Sequence, residues 1–260
     1  MQQLKNYGKI FYGLGIAGLG VLHFFFAGFR PVILPLSPES TAGFNFLSYL
    51  IGAIIVLTGL YIAFGNRVKT AALFLGSLLL LFVLLGHLPN RLANNPGSLG
   101  AWTDTLKCLA LAGGAFVVSQ LYPDIKSNGF VIFLESLAGY GKYFFALLLV
   151  VFGIDHFIYL EFVKTLVPDW IPRHKFWTWV GGVALIGAGL AIFFHVKPAL
   201  ISLLLAGMLL IWLVILHIPR ALVAPVTDNG NEWTSVFEAL AFAGIALLYP
   251  IRSDNLIDGQ

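Results

Sequence analysis

Eight apolar segments, each about 20 residues long, limit what this chain can fold into more than any other feature of its sequence. A helix of that length crosses the hydrocarbon core of a bilayer and satisfies its own backbone hydrogen bonds there. The segments are continuous apolar runs without alternation, which favours helices over the strands of a membrane barrel. The predicted spans cover residues 10–29, 45–64, 70–88, 102–122, 143–160, 176–195, 199–217 and 234–250.

The scarcity of charge supports the same class. Only 10% of the 260 residues are charged and 59% are hydrophobic, whereas soluble domains carry about 25% charged residues. The net charge of +3 is too small to indicate nucleic acid as a partner, so the lipid bilayer is the partner predicted. A basic and then apolar N-terminus with no cleavage site after it predicts a retained first helix. The single cysteine, Cys108, excludes an internal disulfide and a CxxC motif.

Two halves of the chain repeat one another. The pentapeptide GVLHF beginning at Gly20 matches GIDHF beginning at Gly153, and His87 matches His217. The longer stretch AWTDTLKCLALAG matches EWTSVFEALAFAG, and the tripeptide LYP ends both halves. Landmarks that keep their order and spacing indicate an internal duplication.

The duplication predicts how the spans are organised. Each half contains four spans, so both halves enter the membrane in the same direction as parallel repeats. We predict an all-α polytopic membrane protein whose eight transmembrane helices form two parallel four-helix-bundle repeats, covering residues 1–124 and 142–252, with a linker at 125–141. Lysines and arginines are slightly more numerous on the N-terminal side, which predicts a cytoplasmic N-terminus.

Four histidines are predicted to lie near one end of the membrane region, the end that carries the long loops. His23 and His156 come late in spans 1 and 5, and His87 and His217 end spans 3 and 7. One interpretation is that these histidines cap helix carbonyls. The other is that each repeat holds half of a ligand-binding site.

An arginine follows each of the two His-x-Pro sequences. Proline ends or kinks a helix because it lacks the amide hydrogen, and Arg91 and Arg220 then lie where lipid meets water. Arginine there binds a lipid phosphate or an anionic ligand, so both are candidate ligand-binding residues. The aromatic loop LVPDWIPRHKFWTW adds Trp170, which belongs to the interfacial aromatic belt or stacks on a flat ligand.

The second half carries more ionisable residues inside its spans. Asp155 precedes His156, and Glu238 takes the place that Lys107 has in the first half. Intramembrane ionisable groups cost about 2.5–3.5 kcal/mol each on insertion scales, so they are usually paired or functional. A carboxylate beside a histidine suits proton transfer, which makes Asp155, His156 and Glu238 candidate catalytic residues. An ion-paired network that only fixes helix packing is the alternative, with Lys107 bound either to Glu238 or locally to Asp104.

Other chemistries fit the histidines less well. His23 with His87, or His156 with His217, could ligate haem, but a macrocycle near helix ends is poorly buried. No tight ligand spacing predicts a metal site. A quinone is the preferred cofactor or ligand.

The stretch GIDHFIYLEFVKTLVPDWIPRHKFWTWVGGVALIGAGLAIFF and the HIPR sequence that follows span 7 resemble the DoxX family of small bacterial membrane proteins. A typical member has four helices, so this chain resembles two fused members, with the match clearest over residues 143–250. The resemblance implies a component of a redox system in a bacterial inner membrane. A quinone-linked oxidoreductase subunit that exchanges electrons with a redox protein partner is the enzymatic role it favours. Relatives that act as assembly factors or receptors keep a non-enzymatic role open, and a transporter ranks third.

Overall fold

A computed structural model describes residues 2–36, 45–94, 96–97, 99–122 and 128–257. Within these residues the chain is helical without strands, and eight helices are long and apolar enough to cross a membrane. The predicted all-α polytopic class is therefore confirmed. The helices are α1 (Gln2–Phe25), α2 (Asn45–Phe64), α3 (Val68–Phe82), α4 (Leu99–Leu121), α5 (Gly129–Ala138), α6 (Gly141–Ile158), α7 (Leu160–Val163), α8 (His174–Phe193), α9 (Pro198–Trp212), α10 (Ile218–Val223) and α11 (Asn231–Ile257).

Both His-x-Pro sequences lie at widened helical turns. α3 continues as a π-helix over Val83–Leu92, and α9 continues as one over Leu213–His217. Pro89 and Pro219 cannot donate a backbone hydrogen bond, and a proline ring clashes with the carbonyl four residues earlier in an α-helix. A π-turn shifts the hydrogen bonds to i→i+5, so the chain stays helical to the end of each span.

The fifth span begins earlier than the sequence predicts, at Gly129 instead of residue 143. It runs over Gly129–Ile158, so α5 lies inside the segment 125–141 that was predicted as a linker. α5 contains one charged residue, Glu135. It forms an ion pair with Lys69 of α3, which compensates the carboxylate and lets the apolar residues around it join the helical core.

Glycine contacts within each half repeat the same helix crossing. In the first half α1 crosses α2 so closely that a Cβ added at Gly20 would lie 2.7 Å from the Gly52 carbonyl oxygen. In the second half α6 crosses α8, and a Cβ added at Gly153 would lie 2.7 Å from the Gly182 carbonyl oxygen. Small residues permit such close approach in lipid. The crossing occurs at matching positions of the two repeats.

A second pair of glycine contacts joins the two halves. A Cβ added at Gly113 of α4 would lie 2.5 Å from the Gly141 carbonyl oxygen of α6, and one at Gly244 of α11 would lie 2.7 Å from the Gly8 carbonyl oxygen of α1. The last helix of each repeat thus packs against the first helix of the other. These contacts are about as extensive as those within a repeat, so the repeats pack as one unit.

Candidate functional site

At one end of the molecule α1, α3, α6 and α9 finish and α4 and α11 begin. We call this the loop-rich end. The opposite end, where residues 65–67 join α2 to α3 and residues 194–197 join α8 to α9, is the short-turn end. All predicted site residues lie at or near the loop-rich end, in the part of the chain that the structure describes. Their contacts differ strongly between the two halves.

Lys107 and Glu238 form an ion pair between equivalent positions of the two repeats. The Lys107 Nζ lies 3.0 Å from the Glu238 Oε2, and because the residues belong to α4 and α11, the pair joins the halves. Of the two partners that the sequence left open for Lys107, the structure therefore has Glu238 as its ion-pair partner, while Asp104 pairs with Arg91. The second carboxylate oxygen of Glu238, Oε1, is buried and has no hydrogen-bond partner among the described residues.

Asp155 adds a second carboxylate to the same lysine. It is buried near the end of α6 and interacts electrostatically with the Lys107 ammonium group. That ammonium group also lies 5.6 Å from the ring centroid of Phe152. The Asp155 Oδ1 is buried without a hydrogen-bond partner in the described part of the chain. The Lys107 ammonium group therefore pairs with Glu238 and acts on Asp155 only through its charge. Each carboxylate keeps an oxygen that could accept a hydrogen bond.

Each second-half histidine has a ring nitrogen that makes no hydrogen bond to a described residue. The His156 Nδ1 donates to the Phe152 carbonyl oxygen at 2.7 Å, which leaves Nε2 as the unprotonated acceptor. The His156 ring stacks on Trp212 of α9, with 6.1 Å between the ring centroids. His217 makes no side-chain hydrogen bond to a described residue, and its ring interacts electrostatically with Lys107.

The π-turn of α9 brings His217 towards the face that carries Trp212. Residues five apart in an α-helix point about 140° apart around the axis, whereas the i→i+5 bonding of a π-turn places them more nearly in line. Gly181 of α8 makes room for this aromatic surface. A Cβ added there would lie 3.1 Å from the Trp212 ring and 3.4 Å from His156.

In the first half, both ring nitrogens of His23 are hydrogen-bonded to backbone groups. The Nδ1 of this fully buried side chain donates to the Leu19 carbonyl oxygen at 3.0 Å, and its Nε2 accepts from the Arg30 amide at 3.3 Å. The Arg30 guanidinium group donates to the carbonyl oxygens of Asn229, at 2.5 Å, and Ala27, at 3.3 Å. His23 and Arg30 thus tie a loop of the first half to a loop of the second.

His87 is enclosed in the same way. It is fully buried, its Nε2 donates to the Val32 carbonyl oxygen at 3.2 Å, and its Nδ1 lies 3.4 Å from the Thr105 Oγ1. Because the ring nitrogens of His23 and His87 are all engaged, this pair does not fit axial ligation of haem. Both residues fit a structural role.

Replacing His23 or His87 by alanine is therefore expected to destabilise the protein by about 1–3 kcal/mol each, since buried carbonyl, amide or hydroxyl groups lose their partners. Thermal unfolding in detergent measures this loss. His195→Ala, an exposed histidine near the short-turn end, is the control and should unfold like the parent. Unchanged unfolding of both buried variants would contradict the structural role.

The two candidate arginines are paired with carboxylates. Arg220 binds Glu232 through two hydrogen bonds, from Nε at 3.1 Å and from Nη2 at 2.5 Å, and Arg91 binds Asp104. Each arginine thus holds the first turns of the helix that follows. Trp170 is 72% exposed and lies outside the buried contacts described above.

We call the group that remains, of which Asp155 and Glu238 are buried and the others partly buried, the second-half cluster. It consists of Lys107, Asp155, His156, Trp212, His217 and Glu238. The sequence had indicated every member except Trp212, which stands within an apolar span five residues before His217 and offers no pattern that distinguishes it from an aromatic residue facing lipid. Among the described residues, no group of three histidine, cysteine, aspartate or glutamate side chains could hold a metal ion.

Comparisons with known proteins find no significant match to this chain. No protein-family model matches the sequence, and no curated protein or solved structure is significantly similar to it. The geometry of the site therefore carries the functional argument by itself.

Proposed function

We propose that the second-half cluster binds a small hydrogen-bonding ligand, a quinone head group, in an integral membrane component of a redox system. One observation carries this proposal. His156 and His217 keep ring nitrogens that no described residue occupies, beside two buried carboxylates with unpartnered oxygens. The matching histidines of the first half have theirs engaged. Polar groups without partners are costly inside a protein, and a ligand that supplies the missing partners removes that cost.

The chemistry of the cluster suits a ring with two oxygen substituents. The free oxygens of Asp155 and Glu238 accept hydrogen bonds from the hydroxyl groups of a quinol, and the Lys107 ammonium group donates to the carbonyl groups of a quinone. The aromatic faces of Trp212 and His156 suit a flat apolar ring. Interconversion of the two forms needs two electrons and two protons. The carboxylates and histidines carry protons, and a redox protein partner supplies or accepts the electrons.

We further propose that the chain belongs to the DoxX family as two fused four-helix units in a bacterial inner membrane, with the N-terminus in the cytoplasm. The repeated glycine crossings and the π-turn at each His-x-Pro sequence support a duplicated unit of four spans. The short-turn end carries cations without described ion pairs, such as Arg67 and Lys197, which favours the cytoplasmic side for that end.

Removing His217 tests the ligand proposal. The purified parent is expected to release a quinone on solvent extraction, and His217→Ala should retain roughly tenfold less, which corresponds to about 1.4 kcal/mol of lost binding. Chromatography of the extract with ultraviolet detection measures the amount per protein. His195→Ala is the matched control, and it should retain the parental amount.

Two outcomes would overturn this assignment. Equal quinone in the parent and in His217→Ala would remove the second-half cluster as its binding site. A haem absorption band without extractable quinone would assign redox chemistry of another kind.

A non-enzymatic role as an assembly factor or receptor is the second candidate. Exposed apolar side chains at the loop-rich end favour it, because Trp170, Val223 and Val226 are 72%, 86% and 75% exposed and could contact another protein. Recovery of a stable protein partner by pull-down, together with unchanged cellular function of His156→Ala and His217→Ala, would support this role over ligand binding.

A further inference from the structure

The two ends of the molecule differ in how their cations are compensated. At the loop-rich end, five cations pair with carboxylates within the described residues: Arg91, Lys107, Lys164, Lys175 and Arg220. At the short-turn end, Lys69 pairs with Glu135. For five other cations at that end no ion pair with a described residue occurs: Lys5, Lys9, Arg67, Lys142 and Lys197. Among the described side chains, cations without a carboxylate partner are therefore more numerous at the short-turn end.

Two of these cations converge on one aromatic ring. The Lys5 Nζ lies 4.1 Å from the ring centroid of Tyr122, and the Lys9 Nζ lies 5.4 Å from the same centroid. The Tyr122 hydroxyl group donates to the Lys5 carbonyl oxygen at 3.3 Å, which ties the end of α4 to the start of α1. This hydrogen bond and the ring hold the two ammonium groups at one place.

The charge at this place is unfavourable without an anion. Lys5 and Lys9 occupy the first turns of α1, where the helix dipole adds positive potential, and the two ammonium groups repel each other. Burial raises the pKa of Tyr122 to about 12, so its phenol is neutral at physiological pH and supplies no counter-charge. A cation–π contact contributes only about 0.5–2 kcal/mol.

We propose that Lys5 and Lys9 bind the phosphate group of an anionic phospholipid at the short-turn end. Phosphate suits two ammonium groups that approach one ring. Lys5 lies in the first turn of α1, where the amide groups and the helix dipole attract the same anion. The lysines begin a membrane span, so they lie at the depth where phospholipid phosphates occur, and basic residues at that depth attract anionic lipids. This inference does not depend on the function proposed for the second-half cluster.

Lipid titration of the purified full chain in detergent tests the proposal. Phosphatidylglycerol is expected to raise the unfolding temperature of the parent more than phosphatidylcholine does, and native mass spectra should show phosphatidylglycerol retained in preference. The variant Lys5→Gln/Lys9→Gln should lose at least half of this response. Lys142→Gln/Lys197→Gln removes the same charge from the same end and should keep the response.

The source of the phosphate is tested separately. Inorganic phosphate at the same concentration should leave the unfolding temperature unchanged, because it lacks the acyl chains that place a phosphate at the membrane surface. A rise with inorganic phosphate equal to the rise with phosphatidylglycerol would overturn the lipid assignment.

Two further results would overturn the proposal. One is an equal phosphatidylglycerol response in the parent and in Lys5→Gln/Lys9→Gln, or no lipid preference in the native mass spectra of the parent. The other involves Asp124, which follows Tyr122 by two positions and lies outside the described residues. Destabilisation by Asp124→Asn that is reversed by removing both lysines would give the lysines a counter-ion from the protein.

Discussion

Replacing Lys107 by leucine is expected to destabilise the protein by about 3–5 kcal/mol, the range for removing one partner of a buried ion pair. The reason is that this lysine compensates both Glu238, at 3.0 Å, and the buried Asp155. Without it, two carboxylates stay in a low-dielectric region with no cation. Thermal unfolding in detergent should show a fall on the order of 10 °C.

A double variant separates the ion pair from the packing around it. Lys107→Met with Glu238→Met removes both charges and should recover most of the loss, since buried pairs can be replaced by apolar residues at little cost. Recovery should be incomplete because Asp155 still lacks its cation. Lys164→Leu, which breaks an exposed pair with Glu161, is the control and should unfold like the parent. A Lys107→Leu variant as stable as that control would contradict the central role of this lysine.

Replacing Gly113 by valine is expected to separate α4 from α6 and to cost on the order of 3 kcal/mol, the upper end of the range for overpacking. An added Cβ would lie 2.5 Å from the Gly141 carbonyl oxygen, and neither backbone can move without shifting a whole helix. The yield of monodisperse protein in size-exclusion chromatography and the unfolding temperature measure the effect. Gly244→Val should behave alike, because it blocks the equivalent contact with Gly8.

Two other glycines provide the matched control. A Cβ added at Gly187 or Gly207 meets no atom within 4 Å. Gly187→Ala and Gly207→Ala should therefore change stability by less than about 1 kcal/mol, the difference in helix propensity between the two residues. If Gly113→Val is tolerated as well as these two substitutions, the glycine contact between the repeats does not hold α4 against α6.

The boundaries of the fold and of the site were predictable to different degrees. Most predicted spans begin and end near the observed helices, but the first helix begins at Gln2 instead of residue 10 and the last runs on to Ile257 instead of residue 250. The fifth span begins at Gly129 because an ion pair with Lys69 allows Glu135 into a helical segment. The equivalent places of Lys107 and Glu238 in the two repeats made Glu238 a candidate partner. The sequence did not decide between Glu238 and Asp104, because both lie within reach of the same flexible lysine side chain.

The four histidines show most clearly where sequence reasoning ends. All four occupy matching positions in the two repeats, and the sequence assigned them the same character. The enclosure of His23 and His87 depends on the backbone of residues 30–32, which lies against their ring nitrogens. The loop after α1 places those backbone groups beside the two histidines. The corresponding loop of the second half has a different sequence, and residue types alone do not predict which hydrogen bonds a loop backbone makes.

The sequence by itself determined the eight spans, the duplication and the end of the membrane region at which the polar residues gather. These are local properties, because bilayer thickness and backbone hydrogen bonding set the length and period of each apolar segment. Only the tertiary structure decided which side chains meet. Which side chains meet depends on which helices are neighbours and on how each helix is rotated about its axis. The glycine crossings and the π-turns fix both, and they act only when all the helices pack together.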